Sequence, residues 1–310
     1  MSNVLEIKDL RKSFGKYEII RGLNLIVPAG SIYGFIGQNG AGKTTTMKMV
    51  LGLLRSDGGE ITVCGERVTV GGSKANQHIG FLQDVPEFYG FMRPGEYLAL
   101  CGEVTGMKSD DIRRKSNELL NLVGLKDVNK KIGGFSRGMK QRLGIAQALI
   151  NEPKLLICDE PTSALDPVGR KEILDIMMGV RGKTTVIFST HVLSDVERIC
   201  DRVAILSGGI IAKEGDLREL RASYESNAFT LEFADDDTKN RFLSSERLGL
   251  SPANSNVTEN AVTIFAEDIK STAAFVLEVI AADKILPKKF EIHEPSLEKM
   301  FLEVVSSVNS

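Results

Sequence analysis

A glycine-rich segment at residues 37–44 constrains this chain more than any other feature of its sequence. It reads Gly-Gln-Asn-Gly-Ala-Gly-Lys-Thr and fits the pattern G-x-x-x-x-G-K-[S/T] at every fixed position. Such glycines allow turn conformations that other residues disfavour and let backbone N–H groups approach phosphate oxygens. The apolar run 32–36 predicts a strand before the loop, and residues 45–54 predict a helix whose N-terminus attracts anions. Strand, loop and helix in this order indicate a nucleoside triphosphate site.

The loop residues have individual expected roles. Lys43 is placed to reach the β- and γ-phosphates as a compact point charge. The Thr44 hydroxyl is expected to complete the coordination shell of a Mg²⁺ ion that keeps most of its waters. The residues expected to contact the nucleotide in this segment are Gly37, Gln38, Asn39, Gly40, Ala41, Gly42, Lys43, Thr44 and Thr45.

Length and composition exclude several classes of protein. A chain of 310 residues exceeds the usual size of one domain, so we expect one large and one small domain. A net charge of −2 without a basic arm predicts no nucleic acid partner. The four cysteines are widely spaced, which is typical of reduced thiols in the cytosol. Because we find no signal peptide and no apolar run of membrane-spanning length, we expect a soluble chain without direct membrane insertion.

Apolar runs and helical patterns alternate along residues 1–221, as in a layered α/β protein. Strands are predicted at residues 4–7, 23–27, 31–36, 60–63, 79–82, 154–158, 185–188 and 202–206. Residues 93–150 show several successive helical patterns, which predict a helical subdomain inserted into a nucleotide-binding domain. Residues 222–310 predict a small α+β domain resembling a ferredoxin-like split βαβ, with strands at 229–233, 261–265 and 289–293 and helices at 236–248, 269–281 and 296–305.

Two adjacent carboxylates, Asp159 and Glu160, follow an apolar run that predicts a buried strand. A strand of a parallel sheet that ends this way delivers both side chains to the carboxyl edge, where open α/β sheets bind ligands. We expect Asp159 to act on the Mg²⁺ ion from its second coordination shell. Glu160 is expected to be the general base or the group that positions water, since triphosphate hydrolysis requires an aligned nucleophile.

The order of these motifs resembles the ATPase subunits of ATP-binding cassette (ABC) transporters over roughly residues 4–218. The resemblance implies a P-loop NTPase cassette, with a mixed sheet and a helical insertion, that binds and hydrolyses ATP with Mg²⁺. It implies that Phe14 stacks on adenine, although tyrosine is commoner there. It also implies that Gln83 contacts the metal or water, and that His191 donates to the γ-phosphate.

Residues 135–142, Phe-Ser-Arg-Gly-Met-Lys-Gln-Arg, resemble the family signature Leu-Ser-Gly-Gly-Gln with three departures. Ser136 and Gly138 are retained, and a hydroxyl, a bare backbone N–H and a helix N-terminus together make an anion site. Asp166 belongs to the segment 161–166, which matches the family D-loop. The resemblance implies that two cassettes pair head to tail, so that ATP on Lys43 of one is capped by the signature of the other. We therefore expect an ATP-dependent dimer with itself or with a homologous cassette.

The resemblance also implies separate transmembrane permease subunits, with this chain at the cytoplasmic face of the cell membrane. Residues 84–92 are rich in apolar and aromatic side chains for a loop, which favours a permease contact, with packing between subdomains as the alternative. Residues 294–302 resemble the closing motif of bacterial ABC-2-type ATPases, which export drugs, antibiotic peptides or polysaccharides. No residue of this sequence identifies the cargo.

Two other function classes remain for comparison. One is a soluble ABC ATPase that acts on ribosomes or DNA, but such proteins usually fuse two cassettes or insert long coiled coils or zinc modules, which this sequence lacks. The other is a module that binds ATP without hydrolysing it, which the combination of Lys43, Asp159, Glu160 and His191 disfavours. The predicted function is therefore ATP-driven transport, in the direction of export.

Overall fold

The computed structural model describes residues 2–223, 228–245, 247–250, 254–293 and 297–308. The chain divides into two compact units. The first, called the cassette unit below, comprises Met1–Arg218 and Phe301–Ser310, and the second, the C-terminal unit, comprises Glu219–Met300. Within the described ranges, no helix is long and apolar enough to cross a membrane.

The strands of the described residues are β1 (Asn3–Phe14), β2 (Tyr17–Pro28), β3 (Ile32–Gly37), β4 (Gly58–Val63), β5 (Glu66–Arg67), β6 (Ile79–Leu82), β7 (Leu155–Asp159), β8 (Thr185–Thr190), β9 (Arg202–Ser207), β10 (Ile210–Asp216), β11 (Ala228–Glu232), β12 (Ser255–Val257), β13 (Ala261–Phe265) and β14 (Lys289–Ile292). The helices are α1 (Lys43–Val50), α2 (Pro94–Val104), α3 (Ser109–Leu122), α4 (Arg137–Leu149), α5 (Pro167–Gly179), α6 (Leu193–Ile199), α7 (Leu217–Ser223), α8 (Asp236–Leu243), α9 (Ile269–Ala282) and α10 (Leu297–Val308). Short 3₁₀ turns lie at Lys74–His78 and Ile132–Gly134.

A six-stranded sheet with the order β10-β9-β3-β8-β7-β6 forms the centre of the cassette unit. β3 and β6 to β9 run parallel, while β10 pairs antiparallel with β9. Every residue of β3, β7 and β8 is buried, which explains their continuous apolar runs, because both faces of a parallel sheet are covered. Their carboxyl ends meet at one edge, so the glycine loop, the acidic pair and the segment before His191 emerge side by side.

A separate antiparallel sheet, β2-β1-β4-β5, belongs to the same unit. β1 and β2 each span 12 residues and are longer than the predicted strands at 4–7 and 23–27. The predicted strands covered only the apolar part of the pair. Gly15, with φ of +61°, closes the turn between them, and the backbone ladder continues through the polar residues on either side of that turn.

Helices α2, α3 and α4 follow one another between β6 and β7, where the sequence predicts successive helices. α1 begins at Lys43, two residues earlier than predicted, because Gly42 at φ +105° forms its N-cap, and it ends at Val50 rather than at residue 54. In the C-terminal unit, α8 ends at Leu243, before the predicted end at residue 248. The predicted positions of these helices are thus confirmed, whereas their ends are shifted.

The C-terminal unit contains the antiparallel sheet β12-β13-β11-β14. The order β11, α8, β12, β13, α9, β14 is the β-α-β-β-α-β order of a ferredoxin-like split βαβ, as the predicted resemblance implies, although the sequence predicted only three of the four strands and missed the short β12. Its core cluster includes Phe229, Leu231, Phe242 and Val276. Glu294, Pro295 and Ser296, with which the predicted closing motif begins, lie outside the described residues, and α10 follows from Leu297.

Candidate functional site

The loop between β3 and α1 has a backbone that requires glycine. Gly40 and Gly42 have φ values of +82° and +105°, which residues with a Cβ rarely adopt. A Cβ on Gly42 would lie 2.5 Å from the Cδ1 of Ile20, and one on Gly37 would lie 2.8 Å from the carbonyl oxygen of Leu206. The loop is therefore a tight turn in which bulkier residues would not fit, and a turn of this kind suits a phosphate cradle.

Lys43, the first residue of α1, places its ammonium inside this loop. Its side chain is only 6% exposed. The Nζ donates to the carbonyl oxygens of Gly37 and Gln38 at 2.7 and 3.2 Å, and it lies 3.4 Å from the Oε1 of Glu160. A cation held by loop carbonyls and one carboxylate is positioned to bind an incoming phosphate as a point charge.

Glu160 directly follows β7 and faces two predicted site residues. Its Oε1 contacts Lys43, and its Oε2 lies 3.0 Å from the Nδ1 of His191. The Glu160 side chain is 17% exposed, and its φ of +47° is uncommon for a residue other than glycine. Side chains from the segments that follow β3, β7 and β8 therefore meet at one point, as the parallel order of these strands predicts.

Ser189, which was not predicted from the sequence, holds the Asp159 carboxylate and the Glu160 backbone. Its hydroxyl donates to the Oδ1 of Asp159 at 2.5 Å. Its Oγ and its carbonyl oxygen accept from the backbone N–H of Glu160 at 3.1 and 3.2 Å. Ser189 pairs with Asp159 in the β7–β8 register and is fully buried. The available sequence signal was a serine near the end of a buried strand, two residues before His191.

Phe14, the last residue of β1, presents an exposed ring. Half of its surface is accessible, and the Nζ of Lys12 lies 5.4 Å from the ring centroid. Such a ring is available for stacking on a base. Beside the glycine loop there is a cavity of about 280 Å³ lined by Glu18, Ile19, Arg21, Gln38, Asn39, Gly40, Ala41, Leu206, Ser207, Gly208 and Gly209.

The residues expected to act on a metal fit Mg²⁺ bound together with phosphate. Asp159 is buried at the sheet edge, whereas Thr44 is exposed in the first turn of α1. The Nε2 of Gln83 donates to the carbonyl oxygen of Val85 at 2.9 Å, and its Oε1 is the atom that could ligate a metal. Across the part of the chain that the structure describes, no cluster of three or more His, Cys, Asp or Glu could hold a metal. One carboxylate plus a hydroxyl suits Mg²⁺, which keeps waters and takes phosphate oxygens.

Ser136, Gly138 and Asp166 lie at the starts of two other helices. Ser136 is the N-cap of α4, and its Oγ accepts from the N–H of Met139 at 3.3 Å. Asp166 caps α5, and its Oδ1 accepts from the N–H of Gly169 at 3.1 Å. A Cβ on Gly138 would have one neighbouring atom within 4 Å, the Cδ2 of Leu165 at 4.0 Å. In the described residues, these hydrogen bonds stay within each helix start and do not reach the glycine loop.

The segment 84–92, called the aromatic segment below, has an exposed apolar face. Val85, Tyr89 and Phe91 are each more than half exposed. Between this segment and α4 there is a cavity of about 400 Å³ lined by Val85, Pro86, Glu87, Phe88, Arg137 and Lys140. Exposed aromatic side chains beside a cavity are typical of a protein contact surface rather than of a solvated turn.

Two family comparisons cover most of the chain. The family described as ABC transporter matches residues 20–163, and the family described as ATP-binding protein DrrA1-3-like, C-terminal domain, matches residues 215–305. Among curated relatives, the bacitracin transport ATP-binding protein BcrA of Bacillus licheniformis is 40% identical over 217 residues, covering 69% of this chain and 70% of that protein. The linearmycin resistance ATP-binding protein LnrL of Bacillus subtilis (strain 168) is 32% identical over 307 residues, covering 97% and 98%.

A solved structure of the ATP-binding subunit of an ABC transporter has the same fold. It is 31% identical with a TM-score of 0.64, and the match covers 71% of this chain and 93% of that one. Because the relatives are transport and resistance proteins, the alternative of a soluble cassette acting on ribosomes or DNA is not favoured. The motifs, the cassette fold and these matches over most of the chain agree, and we conclude that the chain belongs to the ATP-binding subunits of ABC transporters and carries a DrrA-like C-terminal domain.

Proposed function

We propose that this chain hydrolyses ATP in the presence of Mg²⁺ and thereby drives export through separate membrane permease subunits. The observation that carries the proposal is the contact of Glu160 with both Lys43 and His191, at 3.4 and 3.0 Å. A carboxylate held between a lysine of the phosphate loop and a histidine is placed to orient a water molecule toward a γ-phosphate.

The other site residues take supporting roles in this proposal. The loop amides from Gly37 to Thr45 bind the phosphates, and Phe14 stacks on the adenine. Thr44 and Gln83 would ligate Mg²⁺, with Asp159 acting from its second coordination shell, and the bound ion would neutralise charge on the phosphate oxygens. Glu160 orients the water, while Lys43 and His191 stabilise the charge of the γ-phosphate.

The proposed active form is a pair of cassettes. The helix start at Ser136 and Gly138 offers a hydroxyl and open backbone to an anion, and its described hydrogen bonds do not reach the glycine loop of the same chain. A second copy, or a homologous subunit, then supplies Ser136, Gly138 and Asp166 to the ATP held on Lys43. Closure of the pair depends on ATP, and hydrolysis opens it.

The transport role of the proposal is supported by the relatives and by one surface. The names of two relatives refer to bacitracin transport and to linearmycin resistance, so we propose that the cargo is an antimicrobial compound. The exposed aromatic segment is the proposed docking surface for the permease, which holds the chain at the cytoplasmic face of the membrane.

The first test is the variant Glu160→Gln, which retains the side-chain volume but removes the carboxylate. We expect ATP to bind as in the wild type, turnover to fall roughly 100- to 10,000-fold, and a dimer to persist with ATP. The measurements are phosphate release and gel filtration with and without ATP. The matched control is Glu66→Gln, because Glu66 is exposed on β5, which belongs to the other sheet of the cassette unit.

Two results would contradict this proposal. A monomer in every ATP-containing run of Glu160→Gln argues against the cassette pair. A wild-type chain that binds ATP but releases no phosphate, even with its membrane subunits and a candidate cargo, supports a binding module without hydrolysis. The expected result is that membrane subunits and cargo together raise the ATPase rate.

A further inference from the structure

Gln141 connects the two loops that carry Gln83 and Glu160. It lies on α4, and its side chain is fully buried. Its Nε2 donates to the carbonyl oxygen of Asp84 at 2.9 Å and to that of Pro161 at 3.2 Å. Because both partners are carbonyl acceptors, only the NH₂ end of the amide can face them, which settles the orientation of the side chain.

The helix that carries Gln141 is packed tightly against the first of these loops. A Cβ on Gly144 would lie 2.5 Å from the Cδ1 of Leu82 and 3.4 Å from the Cβ of Pro86, so α4 approaches this loop as closely as glycine permits. The Arg137 guanidinium also pairs with the Asp84 carboxylate at 3.2 Å. The loop of Gln83 is therefore held to α4 by packing, by an ion pair and by the Gln141 hydrogen bond.

The second loop depends on anchors because its backbone is strained. Glu160 has a positive φ, which persists in a non-glycine residue only where the surroundings hold it. Ser189 accepts from its N–H, and the hydroxyl of Thr162 donates to the buried Asp195 at 2.7 Å. The bond from Gln141 to Pro161 is a further anchor, and it comes from the helical part of the cassette unit rather than from the sheet.

We propose that Gln141 is a positioning residue for ATP hydrolysis, because its amide holds the Glu160 turn and the Gln83 loop at a constant separation. The Oε1 of Gln141 is buried and has no hydrogen-bond partner among the described residues, so the NH₂ group alone makes the bridge. Without it, the Asp84 and Pro161 carbonyls lose a buried donor, and their loops become free to separate. This inference rests on the proposed hydrolysis of ATP.

The main test compares Gln141→Met with Gln147→Met. Methionine has a similar shape and cannot donate. Gln147 lies on the same helix and is also hydrogen-bonded, but its partner is the hydroxyl of Tyr97 at 3.1 Å. We expect kcat of Gln141→Met to fall roughly 10- to 100-fold, as for a small misplacement of a catalytic group, with KM for ATP changed less than about threefold. Gln147→Met should retain wild-type kcat. Equal kcat for Gln141→Met and the wild type would overturn the inference.

A second variant, Gln141→Glu, gives a readout that loss of packing would not produce. A neutral carboxyl has one O–H and can donate to one of the two carbonyls, whereas the ionised form can donate to neither. Burial favours the neutral form. The activity of this variant relative to wild type should therefore rise as the pH falls. The ion pair of Asp84 with Arg137 lies beside this position in both proteins, so the comparison is made as the ratio of variant to wild-type activity at each pH. A ratio independent of pH would contradict the inference.

Hydrogen exchange separates this inference from the proposed function. In Gln141→Met without nucleotide, amides in residues 83–86 and 160–163 should exchange faster than in the wild type, and in Gln147→Met they should not. This readout does not require ATPase activity. If the wild type proves inactive, the proposed function fails while the exchange result still decides the role of Gln141. Unchanged exchange in both segments would overturn that role.

Discussion

At the scale of single residues, the site depends on side chains whose positions are set by strained or crowded backbone. Glu160 adopts a positive φ and contacts Lys43 and His191, and Gly42 occupies a conformation and a space that no other residue fits. Strain of this kind is common where a backbone is held for a ligand rather than for stability. Substitutions at these residues should therefore affect binding and turnover beyond their effect on folding.

Gly42→Ala tests the crowding of the glycine loop. Alanine at φ +105° costs about 1–2 kcal/mol of conformational energy, and contact with the buried Ile20 adds about 1–3 kcal/mol from overpacking. Gly65→Ala is the matched control, because Gly65 has φ of +81° with nothing within 4 Å of its Cβ position. We expect a larger drop in unfolding free energy for Gly42→Ala in urea, together with loss of ATP binding. An equal drop in unfolding free energy for both substitutions would show that the methyl group added by Gly42→Ala does not clash with Ile20.

At the scale of elements, parallel strands and helix caps decide where the polar groups lie. β3, β8 and β7 are neighbours, so the loops after them share one edge of the sheet. Helices begin at polar caps: Ser136 for α4, Asp166 for α5, Asp235 for α8 and Asp268 for α9. The caps of α4 and α5 belong to the proposed nucleotide site, while those of α8 and α9 stabilise the C-terminal unit.

The caps of α8 and α9 predict a pH dependence of stability. The Thr238 amide holds the pKa of Asp235 below its usual range, and the hydroxyl and amide of Ser271 do the same for Asp268. A pKa lowered by folding gives stability that is present above the ordinary aspartate pKa and lost as the pH falls through the lowered value. Asn at both positions retains a cap without titrating.

The measurement is urea unfolding of the full chain at a series of pH values, with circular dichroism as the signal of unfolding. From neutral to acid pH, the wild type should lose unfolding free energy relative to the double variant Asp235→Asn and Asp268→Asn. Asp237→Asn, an exposed position in the first turn of α8, is the control and should follow the wild type. A difference that stays constant with pH would show that the caps do not titrate in this way.

At the scale of the whole molecule, the chain has two units with separate cores. The cluster around Leu23 and Phe35 lies in the cassette unit, the cluster around Phe229 and Phe242 lies in the C-terminal unit, and the two share no residue. The residues proposed to bind or hydrolyse ATP all belong to the cassette unit. Damage to the second core should therefore leave nucleotide binding in place.

Phe229→Ala tests this separation. Phe229 is fully buried and its ring centroid lies 5.3 Å from that of Phe290, so truncation should cost the C-terminal unit about 3–5 kcal/mol. We expect faster proteolysis within residues 228–292 and unchanged affinity for ATP. Phe265→Ala, an exposed phenylalanine of the same sheet, is the control and should change neither. A parallel loss of ATP affinity in Phe229→Ala would show that the units are not independent.

The sequence alone determined the features that are written in contiguous residues. The glycine loop, the acidic pair and the helix cap at Ser136 each depend on neighbouring side chains and local backbone. The parallel-sheet rule was then sufficient to place the loop and the acidic pair at one edge. Alternating strand and helix patterns likewise predicted three of the four strands of the C-terminal unit, while the three-residue β12 was too short to leave such a pattern.

The tertiary structure alone decided the groups that hold this site in place. Ser189, Gln141 and Asp195 contact residues that are 20 or more positions away, or belong to another strand, and no local pattern marks such pairs. The positive φ of Glu160 and the length of β1 and β2 likewise depend on neighbours that only folding brings together. Local sequence thus specifies the chemical groups, whereas packing between distant segments specifies how rigidly and how closely they meet.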